Sequence, residues 1–190
     1  MSTKENSQRQ NFIKTRILIT GMVTLLIIGL LLWQNFHGGV PGHHILNRGD
    51  LPKISNWWGG LLLPILTWLL LSKIENRVSK QASQTQGTKN QNIKIFGLFL
   101  LGLIFGIVLV ASFTNDYTLF LDNVLYILIL LSLMVPIYYS EFILGFILGM
   151  TYTFGAVLPT LFILIIAAFG FLIYRFIRPL LLRATKVFRK

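Results

Sequence analysis

The chain contains no cysteine. Disulfides, thiol nucleophiles and zinc–thiolate sites are excluded together, which leaves His, Asp and Glu as the side chains able to ligate a transition metal. Carboxylates are themselves scarce, with six Asp and Glu against 17 Lys and Arg. Charged residues make up 12% of the chain, about half the quarter typical of soluble domains. So little charge excludes a soluble fold. Glycine fingerprints for nucleotide phosphates are missing, and so is the G-x-S-x-G elbow of α/β-hydrolases. Intramembrane metalloenzymes want His or Asp within their spans, and all three histidines fall in one loop.

What the chain has instead is apolar length. Hydrophobic residues make up 54% of its 190 positions. Uncharged apolar runs of about 18 residues or more read as transmembrane helices. In lipid the backbone must satisfy its own hydrogen bonds, so the choice is helix or closed barrel. Continuous runs, rather than period-two alternation, select helices. The fold class is therefore an all-α integral membrane protein, a bundle of six transmembrane helices with both termini cytoplasmic.

The spans fall at about 17–36, 57–74, 95–113, 119–137, 139–155 and 157–176. A polar tail, 1–16, precedes them and is expected to be disordered. The basic start and first apolar run are read as a retained signal anchor, because the run is long for a signal peptide and no A-x-A site follows it. Segment 37–56 forms the first loop. Segment 75–94, rich in Gln, Ser, Asn and Lys, reads as a flexible solvated linker. Residues 119–176 hold only Asp122, Glu141 and Arg175 as charges. As helix they would measure roughly 87 Å, close to three crossings of a ~30 Å core. The expected breaks lie near Pro136–Glu141 and near Thr153–Pro159. Span five is short, and a re-entrant segment is the alternative.

Charge placement orients the bundle. Lys4, Arg9, Lys14 and Arg16 mark the tail, while Lys73, Arg77, Lys80, Lys89 and Lys94 mark the linker and its edges. The first loop has only Arg48 and Lys53, and the third loop has none. Six more basic residues follow from Arg175 onward. The positive-inside rule places tail, linker and C-terminus in the cytoplasm, which requires an even number of spans. The net charge of +11 is then mostly a topology signal, and nucleic acid is not an expected partner. The segment 177–190 is basic and amphipathic. It is expected to lie on anionic lipid of the inner leaflet, or simply to anchor the topology. The Ile-, Phe-, Lys- and Asn-rich composition of the whole chain suggests an A/T-rich bacterial genome, so a multi-pass protein of a bacterial inner membrane is expected.

The chemistry-bearing residues crowd into one stretch, HGGVPGHHILNRGDLPKISNWWG. His37, His43, His44 and Asp50 are its candidate metal or proton-active groups. Neutral imidazole binds zinc, nickel or copper, and a carboxylate could complete a divalent-metal site. Adjacent histidines usually point apart, unlike the i, i+4 pair of H-E-x-x-H. A proton-shuttle or pH-sensing role follows from the near-neutral pKa of histidine. The structural alternative is that these residues satisfy backbone groups at the membrane interface. Trp33, Trp57 and Trp58 bracket the loop as interface anchors. Gly38, Gly39, Pro41 and Gly42 mark a tight turn, and Ser55 or Asn56 caps span two. Arg48-Gly49-Asp50 spells an integrin-ligand tripeptide, which chance and turn chemistry explain better. Asp50 can also pair with Arg48 or Lys53.

Glu141 is the candidate intramembrane ionisable residue, carrying a proton or a cation, or else reaching the headgroup layer at a turn. Asp116 and Asp122 form an outer acidic rim. Gly102 with Gly106, and Gly145 with Gly149, are G-x-x-x-G packing faces within one chain or in a homodimer. Pro64 and Pro159 are expected to kink spans two and six, and broken helices can line substrate sites.

Three functions remain open. One is a small transport or permeation protein, or an accessory subunit of one, with its binding region near the histidine loop. Another is a metal-dependent membrane enzyme acting on a lipid or envelope substrate through His37, His43, His44 and Asp50. The third is a non-catalytic scaffold that assembles with a membrane-complex partner.

Overall fold

Apolar length decides the elements. In a computed structural model, which describes residues 3–44, 50, 52–82 and 88–187, the apolar runs are helices. They are α1 (Thr3–Phe36), α2 (Trp57–Ala82), α3 (Thr88–Thr114), α4 (Thr118–Met134), α5 (Ser140–Phe154), α6 (Val157–Leu172) and α7 (Arg178–Val187). Between α1 and α2 lie two short strands, β1 (Gly42–His44) and β2 (Lys53–Ser55). Among the described residues, four stretches are long and apolar enough to cross a membrane: Gln10–Phe36, Trp57–Gln81, Gln91–Thr114 and Val157–Arg183. The protein is an all-α multi-pass membrane protein in contact with the bilayer. The apolar helices α4 and α5 are shorter.

The polar ends are more ordered than expected. The N-terminal tail is helical from Thr3, continuous with α1. The linker expected to be flexible is largely taken up by α2, which runs on to Ala82, and by α3, which starts at Thr88. The reason is that a polar segment joined to a stable apolar helix extends an existing nucleus, and propagation lacks the cost of nucleation. Residues 83–87 lie outside the described part.

Breaks follow local chemistry. Val135 takes extended backbone at φ −130° and ψ 151°, as a residue before proline must, and so ends α4 ahead of Pro136. Gly155 ends α5 with a positive φ of 68°, and its N–H donates to the Thr151 carbonyl at 3.0 Å, a glycine C-terminal cap. Pro159 lies in the first turn of α6, where its missing N–H has no intrahelical partner to lose. It therefore does not break span six. Pro64 lies inside α2, which remains one helix. Before Pro179 the chain widens into a π-helical turn, Ile173–Ile177, and the Arg178 N–H donates to the Ile173 carbonyl. The proline ring would clash with the carbonyl four residues back, and the wider turn relieves it.

The chain divides into two compact units. One comprises Met1–Phe96 with Thr151–Leu158, the other Gly97–Met150 with Pro159–Lys190. The first is built on α1 against α2. Val23, Ile27, Leu31 and Gln34 form the buried face of α1, and Leu63, Thr67 and Leu70 that of α2. The spacing of three and four puts each set on one helix face. Gly60 lets the helices approach, with the position of a Cβ only 3.1 Å from Leu31 Cδ1. Toward the other end of the pair Arg16 meets Glu75 at 3.3 Å and caps the Trp68 ring at 4.0 Å.

The second unit is built around α5. Residues 141–147 are all buried, and Phe142 and Phe146 have no exposed surface. A helix covered on every side is a central one. The four G-x-x-x-G glycines join it to α3. A Cβ on Gly106 would lie 2.7 Å from the Phe146 carbonyl oxygen, and one on Gly149 2.5 Å from that of Leu103. Gly102 and Gly145 face Phe142 and Phe99 carbonyls more closely still. Both glycine faces are therefore spent within one chain, backbone on backbone.

Candidate functional site

The histidine loop is a hairpin that holds its three imidazoles apart. His37 follows α1 directly. Its Nδ1 lies 2.8 Å from the Trp33 carbonyl, which can only accept, so Nδ1 carries the proton. Its ring stacks on Trp33 with centroids 4.8 Å apart. Gly38 and Gly39 then turn the chain with φ of 111° and 94°, a conformation that glycine adopts freely. The Gly39 N–H donates to the Gln34 carbonyl at 3.0 Å.

β1 and β2 pair antiparallel, with Gly42 opposite Ser55, His43 opposite Ile54 and His44 opposite Lys53. A Cβ on Gly42 would meet Lys53 Cε at 2.9 Å and the Ile54 carbonyl oxygen at 3.1 Å, so the two strands approach closely here. Successive strand residues point to opposite faces. His43 and His44 consequently diverge, and the ring of His43 packs beside Phe154 at 5.8 Å. Asp50 is exposed. Among the described residues no group of three or more His, Asp or Glu could hold a metal ion. The four candidate residues are not gathered into one ligand set there. Arg48 and Gly49 of the tripeptide, and the Arg48 partner suggested for Asp50, lie outside the described residues.

What the hairpin does gather is buried polarity. The Asn56 N–H donates to the Pro41 carbonyl at 3.0 Å, and the Asn56 carbonyl accepts from Gly59 at 2.8 Å, which opens α2. Ser55 Oγ accepts the Trp57 N–H at a long 3.4 Å, so the expected cap is weak. The Asn56 side chain instead turns inward, 6% exposed. It occupies the space that a Cβ on Gly155 would fill. Gln34 is buried at the same end of α1, 9% exposed. Among the described residues Gln34 Oε1, Asn56 Nδ2 and His43 Nε2 are buried without a hydrogen-bond partner. Deeper in the same unit Thr67 Oγ1 and Thr20 Oγ1 share that condition. Each such atom costs about 1–3 kcal/mol unless something satisfies it. Sequence reading missed Gln34 as a site residue and took Asn56 only as a cap. The available signal was an amide pair, Gln34-Asn35, at the end of an otherwise apolar run.

Trp33, Trp57 and Trp58 are exposed beside the hairpin, as interface anchors require. An apolar groove of about 410 Å³, lined by Ile54, Trp58, Leu61, Leu62, Ile65 and Val157, runs alongside.

The remaining candidates belong to the second unit. Glu141 lies in the first turn of α5 and is 1% exposed. Its side chain is enclosed by the surrounding helices rather than exposed at the start of α5. A helix N-terminus favours a carboxylate. Asp116 adopts a positive φ of 54° in the turn after α3, which Asp tolerates better than most residues. Asp122 is exposed on α4. Comparison with protein-family models, with curated proteins and with solved structures finds no match to this chain.

Proposed function

We propose that the protein is a small transport or permeation protein, or an accessory subunit of one, that binds a neutral hydrogen-bonding solute at the hairpin end of the α1–α2 pair. The observation that carries this reading is the set of buried polar atoms at that end. Gln34 offers an acceptor, Asn56 a donor and His43 a ring nitrogen, none of them partnered among the described residues. No carboxylate, lysine or arginine is among these orphaned groups at that end. Such a set suits a solute with hydroxyl or amide groups better than an ion.

The reading includes six crossings with both termini in the cytoplasm of a bacterial inner membrane, as the alternation of basic segments suggests. Compartment reporters at the linker, at Asp116 and at the C-terminus test this part. Linker and C-terminus should report one side and Asp116 the other; an external C-terminus overturns it.

The function itself is tested by swelling of proteoliposomes in iso-osmotic glycerol, urea, erythritol and glucose. One solute should enter faster than into empty liposomes, and Asn56→Ala or Gln34→Ala should slow it. Rates equal to those of empty liposomes for every solute would overturn independent permeation. A stable membrane partner recovered with the protein would then support the accessory role, and metal-dependent turnover would support the enzyme reading.

A further inference from the structure

The second unit carries a groove that the permeation reading does not use. It lies between α4 and α6, has a volume of about 400 Å³, and is walled by Leu125, Ile129, Phe162, Ile165, Phe169 and Ile173 among others. Its walls make no polar demand. Ser132, the one hydroxyl there, already donates to the Ile129 carbonyl at 2.6 Å. Ile137 fills the space over Gly170, where a Cβ would come within 2.7 Å of Ile137 Cγ1, and so forms the floor. Along α6 the groove runs from Phe162 to Ile173, roughly 17 Å at 1.5 Å per residue. That is about half of a ~30 Å hydrocarbon core, the depth of one leaflet.

One end of the groove is different. Just past Ile173 come Tyr174, Arg175 and Arg178. Tyr138 packs edge-on against Phe171 at 5.2 Å and Tyr174 at 5.9 Å. The Arg178 guanidinium lies over the Tyr174 ring at 4.5 Å. The π-helical turn at Ile173–Ile177 sits where wall and basic end meet, and such turns recur at functional sites. Aromatic rings and arginines just beyond the Ile173 end of an apolar slot about one leaflet deep match the parts of a phospholipid in order. The chain takes the slot, the glycerol level meets the tyrosines, and the phosphate meets guanidinium, which binds phosphate through paired N–H donors.

We propose that the α4–α6 groove is a binding site for an anionic glycerophospholipid of the leaflet on the Arg175 side, held by one acyl chain in the groove and its phosphate at Arg175 and Arg178. This is a defined site, distinct from the general attraction to anionic lipid of the basic residues beyond Arg178. The probe is phosphatidylglycerol, compared with phosphatidylcholine of the same chains, added to the full-length protein in dodecyl maltoside. Thermal stabilisation should saturate with phosphatidylglycerol. At about fivefold for each arginine, the preference over phosphatidylcholine should be roughly 25-fold. Arg175→Gln with Arg178→Gln should remove the preference, Ile165→Trp should remove the stabilisation by filling the groove, and Arg183→Gln on α7 should leave both. Equal stabilisation by the two lipids, or retention of the preference in the double-arginine variant, overturns the proposal. Should Ile165→Trp fail to fold, a photoactivatable diazirine on the phosphatidylglycerol chain decides in the unaltered protein. Labelling concentrated at residues 125–137 and 162–173 supports the site; labelling spread evenly over the lipid-facing helices overturns it.

Discussion

Alanine at Gly106 should destabilise the protein, while alanine at Gly97 on the same helix should not. A Cβ at Gly106 would stand 2.7 Å from the Phe146 carbonyl oxygen, and ordinary contact begins at 3.4 Å. The two backbones must therefore part by about 0.7 Å, and neither can yield by a side-chain rotation. A gap of that order forfeits a quarter to a half of each contact around it. Overpacking of this kind costs about 1–3 kcal/mol. Better helix propensity returns up to about 1 kcal/mol, so the net loss is about 1–2 kcal/mol. At roughly 2–4 °C per kcal/mol for a chain of this size, the midpoint should fall by several degrees. Gly97 has nothing within 4 Å of its Cβ position, so Gly97→Ala should leave the midpoint unchanged or raise it. Thermal unfolding in detergent, followed by far-UV circular dichroism, reads both. If Gly106→Ala proved as stable as Gly97→Ala, the close α3–α5 contact would be refuted.

Three further outcomes follow from the geometry. Gly155→Ala should lose about 1–2 kcal/mol for left-handed backbone alone and displace Asn56 as well, so its midpoint should fall while that of Gly21→Ala, in open space, should not. Burial, aided by the neighbouring Tyr139 and Tyr174, pushes the Tyr138 phenol up to about 12. The folded state therefore holds this proton more tightly than the unfolded chain, so the stability it contributes is complete below pH 10 and lost as the pH rises toward 12. Ultraviolet titration should show a late phenol step that Tyr138→Phe abolishes; an unchanged titration would refute the assignment. Finally, the purified protein should carry less than stoichiometric zinc, nickel or copper. Stoichiometric metal that disappears in His43→Ala with His44→Ala would favour the enzyme reading or transport of the metal itself.

The scarcity of charge and the length of the apolar runs are local properties, and they determined the class of molecule and its helices directly. Lipid leaves the backbone no partner except itself, so a run such as Ile95–Phe113 has one available conformation wherever its neighbours lie. The breaks were legible for the same reason. Pro136 and Gly155 act within a few residues of themselves, whatever the rest of the chain does. The amount of helix at the polar ends was not legible, since residues 3–16 and 75–82 borrow their nucleus from adjoining apolar helices. Partnership was decided only by tertiary structure. The G-x-x-x-G spacing fits a homodimer as well as one chain, and only the folded backbone sets Gly106 against Phe146. The histidines drew attention by type, yet the hairpin pairing sends His43 and His44 to opposite faces. Gln34 and Asn56 look unremarkable in sequence. They become the strongest candidates because folding brings two ordinary amides out of water at one end of a helix pair, and burial depends on neighbours distant along the chain.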